Sequence, residues 1–207
     1  HQSVAMIPRT TGIELTTQRL VLRPLRIDDW EDWRTVRQRC EAWLLKWEPR
    51  LHPGYPDPTK DRRAFGARCG ARDRERELGI GYGFGIFVEG DFCGEININS
   101  IQRGPFQNAY VGYWIDEEKA GLGYMPEAVV AIIRFGLEEL GLHRIQVSII
   151  PRNVASRRVV EKLELREEGV ALRYLEINGI WEDHVRYAIT VEEWKERGPA
   201  YKAAWLD

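Results

Sequence analysis

The stretch GYWIDEEKAGLGYMPEAV (112–129) constrains this 207-residue chain more than any other. An alternating, aromatic strand pattern runs through Gly121-Leu122-Gly123 straight into a helix with Pro126 in its first turn. Glycines so spaced let successive backbone N–H groups turn toward one point, and the helix N-terminus adds roughly half a positive charge there. The pattern reads as a cradle for a phosphate or pyrophosphate, or as a tight strand-to-helix turn and nothing more. A Rossmann fingerprint fails because Met125-Pro126 stands where a third glycine belongs. A Walker A loop fails because no Lys-Ser or Lys-Thr follows the glycines. By elimination, a phosphate held here belongs to another kind of nucleotide.

Around this segment the periodicity predicts one mixed α/β domain. Arg19–Leu25 reads as a strand, and Asp28-Asp29 as the cap of a helix bearing Trp30, Trp33 and Val36. Glu48–Pro58 holds four prolines and a glycine, so it is an irregular loop. Thr59 is the expected cap of a second helix reaching Leu78, whose seven basic and four acidic side chains read as a solvated face. Residues 81–88, 92–101 and 109–115 alternate as strands, with a turn at Glu89-Gly90-Asp91. A helix over Pro126–Leu140 stops at Gly141, followed by a strand (144–150) and a helix (Asn153–Leu163). Asn178-Gly179 joins strands 170–177 and 180–190, a strong hairpin signal. The expected divisions are an N-terminal extension (1–12), the domain (13–195) and a C-terminal tail (196–207).

Hydrophobic content of 43% with 30% charged residues excludes wholesale disorder. A formal charge of −2 gives no bulk reason to bind nucleic acid or an anionic membrane, and neither partner is expected. Three cysteines without CxxC spacing suit a reducing compartment, so a cytoplasmic location is expected. Four scattered histidines predict no metal site. No apolar run approaches the roughly 20 residues needed to span a bilayer.

A second motif, IIPRNVASRRVVEKLEL (149–165), narrows the reading. Together with GLGYMPEA, AYVGYWID before it and NGIWEDHVRYAI near the end, it resembles the GCN5-related N-acetyltransferases (GNAT), and within them the RimJ/RimL branch that acetylates protein N-terminal amines. The resemblance runs from TTQRLVLRPL (16–25) to RYAI (186–189) and is carried mainly by residues 102–116 and 151–163. It implies a GNAT fold: a single domain with a mixed, centrally splayed sheet of about seven strands, flanked by helices. It also implies acetyl-CoA as co-substrate, without metal. On that resemblance Tyr113, Trp114 and Ile115 supply the strand along which pantetheine lies. Gly121, Leu122, Gly123, Tyr124 and Met125 offer amides to the pyrophosphate. Asn153 hydrogen-bonds the pantetheine arm, and Ser156 lies near the sulfur as a proton donor to the leaving thiolate.

The chain also departs from the family. Ala120 stands where the phosphate loop usually begins with glutamine or arginine, and Met125 where it ends with glycine or alanine. Glu164-Leu165 replaces the usual glycine and phenylalanine. Ser148 and Val160 occupy the positions where RimI-type members carry a glutamate base and a tyrosine acid. Neither side chain does that proton chemistry, so a base must come from elsewhere. In FCGEININSI, strict alternation puts Cys93, Glu95, Asn97 and Asn99 on one face. A face written Glu-Asn-Asn suggests Glu95 as general base, with Asn97 orienting the acceptor, or a glutamate merely salt-bridged on the strand surface. His184 is a further acceptor-side residue, with a packed structural role as its alternative. A backbone N–H of Trp114 or Ile115, left unpaired where the strands part, is the oxyanion donor.

The function expected is direct acetyl transfer to a protein N-terminal α-amine of the ribosomal-protein-alanine type, so the expected partner is a protein N-terminus, a ribosomal protein among the possibilities. Two alternatives stay open: a small amine as acceptor (polyamine, aminoglycoside or amino acid), and a catalytically silent acyl-CoA-binding module. The Pro-rich loop, with Trp47, His52 and Tyr55, and the Asn178-Gly179 hairpin are expected to wall the acceptor side.

Overall fold

The computed structural model describes residues 13–207, so the expectation for 1–12 lies outside the described residues. Eight strands form one sheet: β1 (Leu15–Thr16), β2 (Leu20–Arg23), β3 (Tyr82–Val88), β4 (Asp91–Gln102), β5 (Asn108–Ile115), β6 (Arg144–Ile149), β7 (Arg166–Ile177) and β8 (Ile180–Thr190). Their order is β1-β2-β3-β4-β5-β6-β8-β7. All neighbours are antiparallel except β5 and β6, which run parallel. A parallel pair needs a crossover. Here α4 (Tyr124–Arg134), extended by a wide turn over Phe135–Glu139, provides it.

Every residue of α4 from Met125 to Ile133 is buried. A helix apolar all round has to be covered on both sides. It packs under the sheet in the main core with Ile96, Ile98, Val111, Val147 and Ile189, while Trp205 and Leu206 lie against the same cluster. The 196–207 stretch is therefore no tail. α6 (Val191–Tyr201) starts at a Thr190–Glu193 capping box, continues as a helical turn to Leu206, and buries Trp194 and Tyr201. No helix among the described residues is long and apolar enough to cross a membrane.

The opposite face is covered by α1 (Trp30–Arg39), α2 (Glu41–Leu44) and α3 (Arg62–Glu77), which enclose Trp33, Val36, Phe65, Phe87 and Phe92. α3 is capped by Asp61, whose carboxylate accepts from the Arg63 and Ala64 amides, and not by Thr59, which bonds Asp57 instead. Its charge is solvated only in part: Arg62, Arg63 and Arg74 are exposed, but Arg68 and Arg72 reach the sheet at Glu95 and Asn99. The two turn signals hold. Glu89-Gly90 and Asn178-Gly179 all take positive φ, as a two-residue hairpin of right-handed strands requires. Glu164 has φ +53°, in the left-handed region that glycine adopts without strain, and Leu165 is buried in the core.

Strict alternation fails near the start of β4, and its register against β5 shifts again between Asn99 and Gln102. Ile86 pairs with Gly94 and Phe87 with Phe92, so Cys93 is an extra, bulged residue. The bulge turns Phe92 toward the α1–α3 face and Cys93 into the main core, where its thiol donates to the Ile86 carbonyl. Cys93 thus does not share a face with Glu95. Gly94, beside the bulge, lies against β5: a Cβ there would run into the Trp114 carbonyl and come within 3.0 Å of the Ile115 Cα. Gly112, opposite Asn97, faces open space. Gly94→Ala is expected to lower stability by about 2–3 kcal/mol, the upper range for an overpacked site. Gly112→Ala should leave it within about 0.5 kcal/mol. Urea titration of both variants checks this; equal midpoints would refute the bulge contact.

Candidate active site

β5 and β6 pair only from Asn108↔Arg144 to Val111↔Val147 and then part. Beyond that point β5 stays with β4 to Gly94↔Ile115, and β6 stays with β8 to Ile149↔Val185. A cleft of about 790 Å³ passes through the gap. It is lined by Gly112 to Ile115, Gly121, Gly123 to Pro126, Ser148 to Ile150, Asn153 and Ser156, and by Trp43, Trp47, Glu48, Asn97, Ile177 and His184. Backbone groups facing the gap have no strand partner there. The fold leaves them for a ligand.

At one end sits the glycine loop. Gly121 (φ +79°) and Gly123 (φ +83°) both occupy the left-handed region, and Gly123 is the N-cap of α4. The loop is braced from β2. Glu127, buried in the first turn of α4, pairs with Arg19 Nε (2.9 Å) and also accepts from the Arg19 amide and the Thr17 hydroxyl. Arg19 Nη1 donates to the Leu122 carbonyl at 2.9 Å. The Leu122 side chain is 52% exposed and does not line the cleft. Met125 is buried in the core, so only its backbone is offered to a ligand, which explains why a large side chain is tolerated. Lys119, Arg158 and Lys162 add positive charge to this end; the last two lie four apart on α5 (Val154–Lys162), a spacing overlooked in the sequence. Upstream, buried Asp116 receives both Arg39 nitrogens (2.8 and 2.7 Å) and the Glu118 amide. Burial raises its carboxyl, but these donors outweigh that and hold it below the usual range.

Midway, Asn153 caps α5, its Oδ1 accepting from the Ser156 amide at 3.2 Å. Its NH₂ stays available as a donor. The Ser156 hydroxyl donates to Tyr113 Oη (3.2 Å), which donates to the Ser156 carbonyl (2.9 Å). Burial pushes the Tyr113 hydroxyl far above its ordinary range, so it remains protonated. Val160 is wholly buried, and Ser148 accepts from Gln146 at 2.9 Å. Asn97 lines the cleft; with its amide turned to suit its neighbours, its oxygen accepts from Arg72 Nη2 at 3.2 Å.

Glu95 is the main correction. It is 4% exposed and does not line the cleft. Arg68 grips it with two bonds (2.8 and 2.9 Å), while Trp33 and Trp114 donate their indole N–H groups to Oε2 (3.1 and 2.8 Å). Burial raises the carboxyl, but the Arg68 charge and four donors more than offset this and hold it below the usual carboxylate range. A carboxylate so saturated accepts no proton from an amine. Its work is to fix the Trp114 indole in the cleft wall.

The acceptor end is roofed. The Asn178 amide donates to the Glu48 carbonyl (2.8 Å), and the Arg50 guanidinium lies over Gly179, so the Pro-rich loop and the β7–β8 hairpin meet. Trp47, Glu48 and Pro49 line the cleft; His52 and Tyr55 instead pair edge to face with each other (5.5 Å), outside it.

A cleft that runs from an anion cradle, through a gap between strands, to a polar floor joins two ligands end to end, the geometry of group transfer. A family model described as an acetyltransferase (GNAT) domain matches residues 19–166. The chain is 33% identical over 186 residues to the [ribosomal protein uS5]-alanine N-acetyltransferase of Escherichia coli, covering 88% of this chain and 93% of that one. It is 43% identical over 107 residues to a probable N-acetyltransferase of Bacillus subtilis, YjcK, the match spanning 51% of this chain and 59% of that protein. Among solved structures, Mycobacterium smegmatis RimJ in complex with CoA-disulfide superposes with a TM-score of 0.82 at 30% identity, over 93% of this chain and 92% of the other. The chain belongs to the GNAT N-acetyltransferases, and its relatives place it with the RimJ/RimL type.

Two outcomes follow. Gly123→Val puts a β-branched residue at φ +83° and a Cβ about 3.1 Å from Arg19 Nη2, spoiling the cradle. Acetyl-CoA affinity should fall at least about tenfold by titration calorimetry while the variant stays folded; an unchanged affinity would remove this loop from the site. Glu95→Gln leaves Arg68, 31% exposed at its side chain, without its counter-charge. At pH 7 the loss should be about 2–3 kcal/mol, discounted for that exposure from a fully buried pair. Because the folded carboxyl titrates lower than the unfolded one, its contribution is present above the ordinary carboxylate value of about 4.3 and fades as pH falls through the folded value. The gap between wild type and variant should therefore close in acid. Turnover per folded molecule should stay within about tenfold; a loss of the 10²–10⁴-fold expected for a missing base would reinstate Glu95 in the chemistry.

Proposed function

We propose that this protein transfers an acetyl group from acetyl-CoA directly to the α-amine of a protein N-terminus beginning with a small residue such as alanine. The observation that carries the reading is the roofed acceptor end. The contact between Asn178 and Glu48 closes a slot walled by Trp47, Pro49 and Ile177. Such a slot admits an extended chain end more readily than a lysine on a folded surface. The Escherichia coli relative, named for alanine acetylation of ribosomal protein uS5, points the same way.

Gly121, Gly123 and the N-terminus of α4 would hold the pyrophosphate, Asn153 the pantetheine amides, and the exposed backbone of Gly112 to Ile115 the rest of the arm. Acetyl-CoA supplies the activated acyl carbon as a thioester. The Ile115 N–H, which the β4–β5 register turns toward the gap, would stabilise the developing oxyanion, whereas that of Trp114 is turned toward Glu95 of β4. The Ser156 hydroxyl would donate to the leaving sulfur. Beyond these groups, an undemanding base is all that is required of the protein. An α-amine titrates near 7.7–8.0 against about 10.4 for lysine, so at neutral pH a lysine costs about 3 kcal/mol more to reach its nucleophilic form. Orientation in the slot would then supply much of the rate.

Mass spectrometry on a peptide carrying both a free N-terminal alanine and an internal lysine decides the acceptor. Acetyl groups should appear on the α-amine, with little on the lysine. Predominant lysine labelling refutes the N-terminal reading. Labelling of a polyamine but no peptide does so in favour of a small-amine enzyme. Binding of acetyl-CoA without thiol release above hydrolysis, whatever the amine, would mean a silent acyl-CoA module.

A further inference from the structure

We propose that His184 is the general base of the transfer, an assignment that rests on the acetyltransferase reading above. The alternation of β8 sends Val185, Tyr187 and Ile189 into the main core and His184 to the opposite, acceptor-side face. There it lines the cleft while being only 3% exposed. It lies one residue beyond Val185, the partner of Ile149, on the stretch of β6 that has already left β5. The imidazole therefore stands at the edge of the gap through which the acyl group must reach the acceptor.

Its tautomer is fixed by the backbone. Nδ1 lies 2.9 Å from the Glu182 carbonyl oxygen, which only accepts, so Nδ1 carries the proton. The Nε2 lone pair has no donor within the protein among the described contacts, and that nitrogen is not among the sealed, unpartnered polar atoms. The Tyr174 ring meets the imidazole edge to face at 5.5 Å and holds its plane. The neighbouring Glu182 carboxylate is occupied by both Arg152 nitrogens (2.8 and 2.7 Å) and is not a competing base.

Every other ionisable group of the cleft is disqualified. Glu48 is gripped by Arg37 (2.7 and 2.6 Å). Tyr113 is held protonated by burial. Lys119, Arg158 and Lys162 are cations at the glycine-loop end, Tyr124 stands there too with its ring under the Arg19 guanidinium (4.5 Å), and Glu95 lies outside the cleft. Asn97, Asn153, Ser148 and Ser156 carry no basic lone pair at neutral pH. Among the described residues of the cleft, the base is left to one imidazole nitrogen.

The step balances without a further reactant. The neutral amine nitrogen attacks the thioester carbonyl carbon, the C–N bond forms, and one N–H proton passes to His184 Nε2, directly or through one water. The C–S bond then breaks with its electron pair on sulfur. The imidazolium proton, or one from the Ser156 hydroxyl later restored from the imidazolium through solvent, neutralises the thiolate. Amide and thiol are the products.

His184→Gln keeps a polar side chain of similar size and removes the basic lone pair. With an Ala-initiated peptide, its kcat should fall about 10²–10³-fold, within the usual range for a general base. The Kd for acetyl-CoA by calorimetry should stay within about twofold, and free imidazole should restore part of the rate of His184→Ala. A glutamine variant within about threefold of wild-type kcat overturns the proposal while leaving the acetyltransferase reading intact, as does absence of imidazole rescue. A wild type that acetylates no amine overturns that reading and this proposal together. If neither variant folds, long-range ¹H–¹⁵N NMR of the wild type still decides: the neutral imidazole should carry its proton on Nδ1, and a proton on Nε2 refutes the assignment.

Discussion

The parting of β5 and β6 after Val111↔Val147 is the constraint on which the rest of the molecule depends. Two strands that separate in mid-sheet ordinarily abandon hydrogen bonds. Here each keeps its outer neighbour, β4 for one and β8 for the other, so only the groups facing the gap are left. Those groups are the ones an amide-bearing arm can satisfy. The two faces of the gap differ as two ligands require. On the α4 side lie Val111, Tyr113 and Val147 among core side chains; on the other lie Asn97, Ser148 and His184. The sheet separates an apolar channel that starts at the glycine loop from a polar floor, and the gap is where they meet.

Around that gap, buried charges serve as clamps. Glu95 ties Arg68 of α3, Trp33 of α1 and Trp114 of β5 into one node, and Asp116 ties α1 to the turn before the glycine loop. Removing such charges from water is costly, and an ion pair of this kind adds little net stability over apolar packing. What it adds is direction. A carboxylate with four donors fixes an indole more tightly than apolar contacts, which any sliding rearrangement preserves. Glu127 does the same for Arg19 and, through it, for the Leu122 carbonyl.

Much of this was legible in the chain. The glycine-to-helix pattern, the asparagine–glycine hairpin and the apolar run of α4 are local signals, and each stands where the pattern put it. Glu95 was not legible, because its meaning lies in Arg68, 27 positions away on another element. A polar run on a strand reads alike whether it faces a cleft or a guanidinium. The α3 arginines misled for the same reason, since charge at helical spacing does not say which side is covered. Cys93 was misplaced because a bulge inserts one residue and inverts a period-two count, and nothing in FCGE announces it. The expected tail is instead helical, with Tyr201 buried in the core and Trp205 and Leu206 packed against it, contacts that no local pattern announces.

β8 links the roofed end of the cleft to the gap between β5 and β6. Its first residues leave the Asn178-Gly179 turn, which meets the Pro-rich loop through Glu48 and Arg50; five positions on from Gly179 it presents His184 at the gap. The wall that positions an incoming chain end and the imidazole facing it therefore ride on one strand, whose register against β6 is fixed by six consecutive pairs from Arg144↔Thr190 to Ile149↔Val185. A one-residue slip would turn His184 into the core and expose Val185, an exchange that burial forbids. The distance between the slot and the base is thus set by the sheet itself rather than by a loop. On the proposed reading, a site with Ser148 and Val160 where RimI-type members carry glutamate and tyrosine holds an amine in line with a thioester in this way.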